Sequence, residues 1–220
     1  MRTYHEQLLQ QMFQERERII SRRSLLAGGA TLVGGAVALG VSGGSLGLTS
    51  AMAQDDAPFA DDLEVLNYAL TLEHLENAFY RDGVGLYQFG LDGYDNDIAA
   101  MLTEIGAHEQ AHVDTLITVI TDLGGEPVEE ATYDFGHTDA VSFLATSAAL
   151  ENTGVSAYDG AAQYIEDAGL LTAAGSIVAV EARHASYLNL ITGESPFPEG
   201  FEQAKTPEEI LEIAGPFIVQ

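Results

Sequence analysis

Four stretches of this chain carry helical hydrophobic spacing, and each apolar stripe is broken near its middle by carboxylates or imidazoles. The first stripe reads Leu66, Leu70, Glu73, Asn77, Tyr80. The second reads Ile98, Leu102, Ile105, Glu109, His112, Leu116, Val119. The third reads Leu144, Ala148, Glu151, Val155, Tyr158, Ala162, Ile165, and the fourth Ala174, Ile177, Glu181, His184, Leu188, Ile191. Burying an unpaired carboxylate costs several kcal/mol even after relaxation. Four at one level repel each other as well, so a fold that buries these stripes needs positive charge between them. Two divalent cations balance four carboxylates, and two neutral imidazoles complete the shell. The spacing agrees: Glu109-Gln110-Ala111-His112 and Glu181-Ala182-Arg183-His184 are both Glu-x-x-His, which sets carboxylate and imidazole on one helix face. The expected metal ligands are therefore Glu73, Glu109, His112, Glu151, Glu181 and His184.

The expected fold is all-α, a four-helix bundle with a short C-terminal helix. The first helix runs from about Asp61 to Arg81, stopping before Asp82-Gly83, and the second from about Asn96 to Leu123, stopped by Gly124-Gly125 and Pro127. The third starts at the cap Thr138-Asp139 and ends near Asp167. The fourth runs from about Leu170 to Thr192, with Gly193 as its stop. A fifth is expected over Pro207–Ile213, with Thr206 as cap, Pro207 in the first turn, and Glu208 and Glu209 at the positive end. No strand-like alternation competes. The link between the second and third helices is longer than a hairpin and long enough to cross the bundle from end to end.

Composition narrows the chemistry. There is no cysteine, so disulfides, zinc–thiolate sites, iron–sulfur clusters and thiol nucleophiles are excluded, and metal must be held by oxygen and imidazole nitrogen. The net charge is −26. Of the 34 acids and 8 bases, the first 53 residues hold three and five, leaving 31 acids against Arg81, Arg183 and Lys205. Such a surface repels nucleic acid and anionic lipid. It suits either a halophilic setting, where salt screens the repulsion, or attraction of cations toward the site.

The N-terminus reads as an address. Ser21-Arg22-Arg23-Ser24-Leu25-Leu26 is a twin-arginine pattern. An uncharged, glycine-rich stretch follows, ending in the small-x-small sequence Ala51-Met52-Ala53. The combination resembles a Tat signal peptide, which implies passage through the Tat translocase as a folded, metal-loaded protein. Residues 1–53 are thus expected to be a signal, or an uncleaved membrane anchor, and 54–220 the folded domain in a periplasmic, cell-surface or extracellular location.

The ligand pattern resembles the ferritin-like di-iron and di-manganese carboxylate proteins, whose bundles take one Glu from each of two helices and Glu-x-x-His from each of the others. The surrounding residues are similar to those of exported, desiccation-related ferritin-like proteins: Leu66 to Glu76 (LNYALTLEHLE), Leu150 to Tyr158 (LENTGVSAY) and Val180 to Leu188 (VEARHASYL). The resemblance implies that Glu109 and Glu181 bridge two metals, iron first and manganese second. It pairs Glu73 with His112 on one metal and Glu151 with His184 on the other. It also implies reaction with O2 or H2O2. The readings it leaves open are Fe(II) oxidation, manganese catalase-like peroxide disproportionation, and a metal-stabilised protein of desiccation or oxidative stress with little turnover.

Several neighbours compete for these roles. Glu76, one turn from Glu73, is the alternative ligand; Glu73 is preferred because Tyr80 follows it by seven residues as Tyr158 follows Glu151. Tyr80 and Tyr158 either hydrogen-bond the ligand carboxylates, act in redox chemistry, or pack. His108 and Glu104 form either an entry site or an outer support. His74 is expected at the surface, His137 in a loop, and Tyr187 in packing. Arg183 either orients a bridging carboxylate or pairs with an aspartate on a neighbouring helix.

Overall fold

The computed structural model describes residues 57–219. The expected export signal and its cleavage point lie outside them. Helix α1 spans Asp62–Gly83, α2 Ile98–Asp122, α3 Ala140–Ala161, α4 Ala168–Thr192 and α5 Pro207–Ala214. Each bundle helix starts on an aspartate: Asp61, Asp97, Asp139 and Asp167 accept backbone N–H groups of the first turn. Each cap stabilises its helix by ~1 kcal/mol and sets negative charge at the positive end of the dipole. Part of the acidic surplus is therefore structural. Thr206 and Glu209 form a reciprocal cap on α5, and Gly193 ends α4 at φ 90°, a left-handed turn that glycine adopts freely.

Helix α1 packs against α2, and α3 against α4. The pairs are joined by the crossover between α2 and α3, and its course is fixed by three α1 residues spaced seven apart. Asn67 donates to the Glu126 carbonyl and accepts from Val128 N–H, the His74 Nε2 lies 3.2 Å from the Val128 carbonyl, and Arg81 forks onto Glu130. The link runs extended along α1 from its start to its end, so α3 begins at the opposite end of the bundle from where α2 stopped. This connection makes the fold the ferritin-like bundle expected from the sequence.

Four local expectations are corrected. His74 is buried, not at the surface: it does face away from the bundle seam, but the crossover covers that face. Gly83 is not a stop beyond α1; it is the helix's last residue, where a Cβ would collide with the Phe143 ring, so the glycine serves close packing. Helix α3 ends at Ala161, six residues before Asp167, and continues as a 3-10 turn over Ala162–Tyr164. The Asp62 carboxylate accepts the Glu166 and Asp167 N–H groups there, and Asp167 caps α4, so the chain must already have turned. Two short strands are present, β1 Thr132–Tyr133 and β2 Ile218–Val219, paired antiparallel. Two residues are too few to leave an alternation in sequence.

The segment before α5 lies across α3. Lys205 N–H donates to the Ser156 carbonyl, and a Cβ on Gly160 would collide with the Lys205 carbonyl oxygen. Gly160→Ala is therefore expected to lower unfolding stability by about 2 kcal/mol, because backbone rather than a flexible tip must move. Urea denaturation checks this, and an unchanged midpoint would contradict the contact. Among the described residues, no helix is long and apolar enough to cross a membrane.

Candidate metal centre

The helix seams converge at mid-bundle, and all six sequence-predicted residues meet there. Glu73, Glu109, Glu151 and Glu181 have no exposed surface, and His112 and His184 are buried. They form two overlapping groups, Glu73–Glu109–His112–Glu181 and Glu109–Glu151–Glu181–His184. Within each group one donor atom per residue lies within 4.8 Å of the others. Glu109 and Glu181 belong to both.

The polar groups outnumber the hydrogen bonds that join them. His112 Nδ1 faces three carboxylates: Glu73 and Glu109 at 3.2 Å and Glu181 at 3.1 Å. His184 Nδ1 faces Glu109 and Glu151 at 3.1 Å and Glu181 at 3.9 Å. One ring nitrogen carries at most one hydrogen, so it serves one acceptor well. Oε1 of Glu109 and both carboxylate oxygens of Glu181 are buried without a hydrogen bond. Unpaired oxygens in a dry interior are costly, and a cation between them removes the cost. The two oxygen-and-nitrogen donor sets fit a dinuclear metal site.

The electrostatics of the cluster carry the same message. Burial pushes the Glu109 carboxyl up to about 7, against the hydrogen bond from His112 and the His184 ring nitrogen 3.1 Å away. Burial and the Glu151 charge push Glu181 up to about 8, and burial with the Glu109 charge raises Glu151. Burial pulls both imidazoles down, but hydrogen bonds to the carboxylates outweigh it, so His112 is held up at about 12 and His184 at about 10. The cluster retains protons, and those are what metal ions displace.

Both tyrosines turn their hydroxyls onto the end carboxylates. Tyr158 donates to Glu73 Oε1 across the bundle; Tyr80 donates to Glu151 Oε1 at 2.5 Å and lies 2.7 Å from Ser147 Oγ. Burial and the adjacent carboxylates raise both phenols well above their usual range, so they stay protonated and donate. Hydrogen bonding to carboxylates, one of the roles open from sequence, is thus what the structure shows. His108 Nδ1 is 2.9 Å from His184 Nε2, with the rings stacked, an outer partner that leaves Nδ1 of His184 for the centre. Tyr158→Phe and Tyr80→Phe are each expected to weaken metal binding by about 10- to 100-fold while the fold persists. Titration calorimetry checks this, and unchanged affinity in both variants would remove the tyrosines from the centre.

Glu76 is not among the converging donor atoms, yet it is buried beside them. Burial and the charges of Glu181, Glu151, Glu109 and Glu73 hold its carboxyl well above the ordinary range. Gly154 makes the room: a Cβ there would stand 3.0 Å from Glu76 Oε1. This fifth buried acid was visible in sequence only as a rival to Glu73. Arg183 is exposed and takes neither role considered for it among the described residues. Tyr187 reaches out of its packing, its hydroxyl 3.3 Å from Asp92 Oδ2. His137 lies in the crossover, with Nδ1 2.8 Å from the Tyr87 hydroxyl.

Residues 61–194 match the family described as the ferritin-like domain. Among solved structures, a ferritin-like, diiron-carboxylate protein from Bacillus anthracis is similar at TM-score 0.52 and 19% identity, covering 59% of this chain and 94% of that one. A conserved hypothetical protein from Mycobacterium tuberculosis is similar at TM-score 0.51 and 19% identity, covering 62% and 94%. At that identity the likeness is one of fold. No curated protein matches the sequence.

Proposed function

The chain belongs to the ferritin-like domain family, and from that premise we propose that it is an exported dinuclear metal protein that oxidises Fe(II) with O2 or peroxide. The observation that carries the reading is the pair of buried donor groups sharing Glu109 and Glu181. Glu109 and Glu181 would be shared between the two ions, with Glu73 and His112 completing one donor set and Glu151 and His184 the other. When bound, two redox-active ions would supply one electron each, enough with two protons to take O2 to H2O2, or H2O2 to two waters. The chain's own part is to hold the donors. Tyr158 and Tyr80 fix the end carboxylates, His108 fixes the His184 ring, and the apolar layers above and below exclude bulk water.

Export through the Tat translocase rests on the Arg22-Arg23 pattern and Ala51-Met52-Ala53. It places the working protein outside the cytoplasm, carrying the metal loaded before transport. The test is elemental analysis of protein purified without chelator, with Fe(II) oxidation and peroxide loss assayed on the same sample. Two irons per chain with Fe(II) oxidation support the reading. Two manganese with rapid peroxide loss replace it with catalase-like disproportionation. Bound metal with neither activity replaces it with a metal-stabilised stress protein. A chain that takes up no metal removes the centre altogether.

A further inference from the structure

Directly beyond the centre, all four bundle helices leave an apolar cavity of about 40 Å³. Its lining includes Ala69, Leu116, Tyr158 and Ile177. Ala69, Leu116 and Ile177 each stand one helical turn from a cluster residue, namely Glu73, His112 and Glu181, and Tyr158 stands two turns from Glu151. Tyr158 joins the two spaces: its ring lines the cavity while its hydroxyl bonds Glu73. The cavity is partly open, and two of its lining residues, Thr115 of α2 and Ala173 of α4, reach solvent.

We propose that this cavity is the entry and holding site for dioxygen, and that Tyr158 is its boundary with the metal centre. The inference rests on the dinuclear reading above and names the oxidant within it. Size and chemistry decide between the two oxidants. A water needs roughly 10–15 Å³ of such space, so about 40 Å³ holds a diatomic molecule and little more. Water or hydrogen peroxide in such a space also needs two or more polar partners. The wall offers almost none: Thr115 Oγ1 donates to the Ala111 carbonyl and Tyr158 to Glu73, leaving the Tyr68 hydroxyl. Peroxide entering here surrenders its hydrogen bonds to water against hydrocarbon, whereas dioxygen surrenders none. The cavity therefore selects the apolar oxidant.

The test uses xenon, which occupies dry apolar cavities, on the metal-loaded chain. Wild-type crystals under xenon pressure are expected to show the atom between Ala69, Ile177 and Tyr158. Xenon should also slow O2-driven Fe(II) oxidation competitively. Ala174→Phe, which fills the cavity from α4, should exclude xenon and keep two metals. It should lower the ratio of O2-driven to peroxide-driven oxidation about fivefold or more, through KM for O2. Absence of xenon from the wild-type cavity overturns the proposal. So does an unchanged ratio in Ala174→Phe together with no xenon competition in wild type. Should Ala174→Phe fail to fold, the wild-type competition decides alone. A wild-type chain that binds no metal overturns this inference and the reading beneath it together; metal binding and turnover alongside either of those negative results overturn only the route.

Discussion

A chain in which Glu109 and Glu181 are both replaced by Ala is expected to lose at least one of its two metal ions and all Fe(II) oxidation. These two residues are the shared members of both donor groups. Their removal leaves Glu73 with His112 and Glu151 with His184, one carboxylate and one imidazole for each cation. That is short of the donor number a stable divalent site needs. The variant should still fold, because removing two buried carboxylates also removes their mutual repulsion and their desolvation cost. Elemental analysis after metal loading and gel filtration reads the outcome. The comparison is Glu76→Gln, which alters a buried acid outside the donor groups and is expected to keep both ions. Normal two-metal occupancy in the double variant would sink the ligand assignment. Loss of metal in Glu76→Gln would move that residue into it.

The site was legible because its cost is written into the seams. A buried carboxylate at a core position contradicts the helix pattern around it, and six such contradictions at one level admit few explanations. The caps were legible for a related reason: Asp139, Gly193 and Thr206 each carry a local signal of helix start or stop. What was hidden depends on partners distant in sequence. His74 reads as surface on its own helix and is buried only because Val128 comes back over it. Gly83 reads as a helix stop and proves to be the space for Phe143, sixty residues on. The early end of α3 depends on Asp62, which holds Glu166 from 104 residues earlier. Glu76 was seen, but its depth was not, because the groove that admits it is made by Gly154 on another helix.

The metal-free and metal-loaded forms are expected to respond to pH in opposite directions. In the metal-free chain, burial raises Glu109 to about 7 and Glu181 to about 8, above the unfolded carboxyl value near 4.5. A group with a raised folded value stabilises fully below its unfolded value and loses that contribution as pH rises through the folded one. For these two acids the loss runs from about pH 4.5 to 8. His112 and His184, held up at about 12 and 10, add a contribution that fades in the same direction from about pH 6.5 upward. Every one of these signs makes the metal-free fold weaken between about pH 5 and 8. Metal ions compete with the same protons, so their binding tightens over that range. At a thousandfold excess over Kd, each ion adds about 4 kcal/mol, and two ions raise Tm by roughly 15–30 °C for a domain of this size. Melting curves with and without chelator from pH 5 to 8 should therefore diverge, the gap widening with pH. Parallel curves would mean that no cation is held by the protons' sites, and that the buried carboxylates at the level of Glu109 and Glu181 are stabilised by something other than metal.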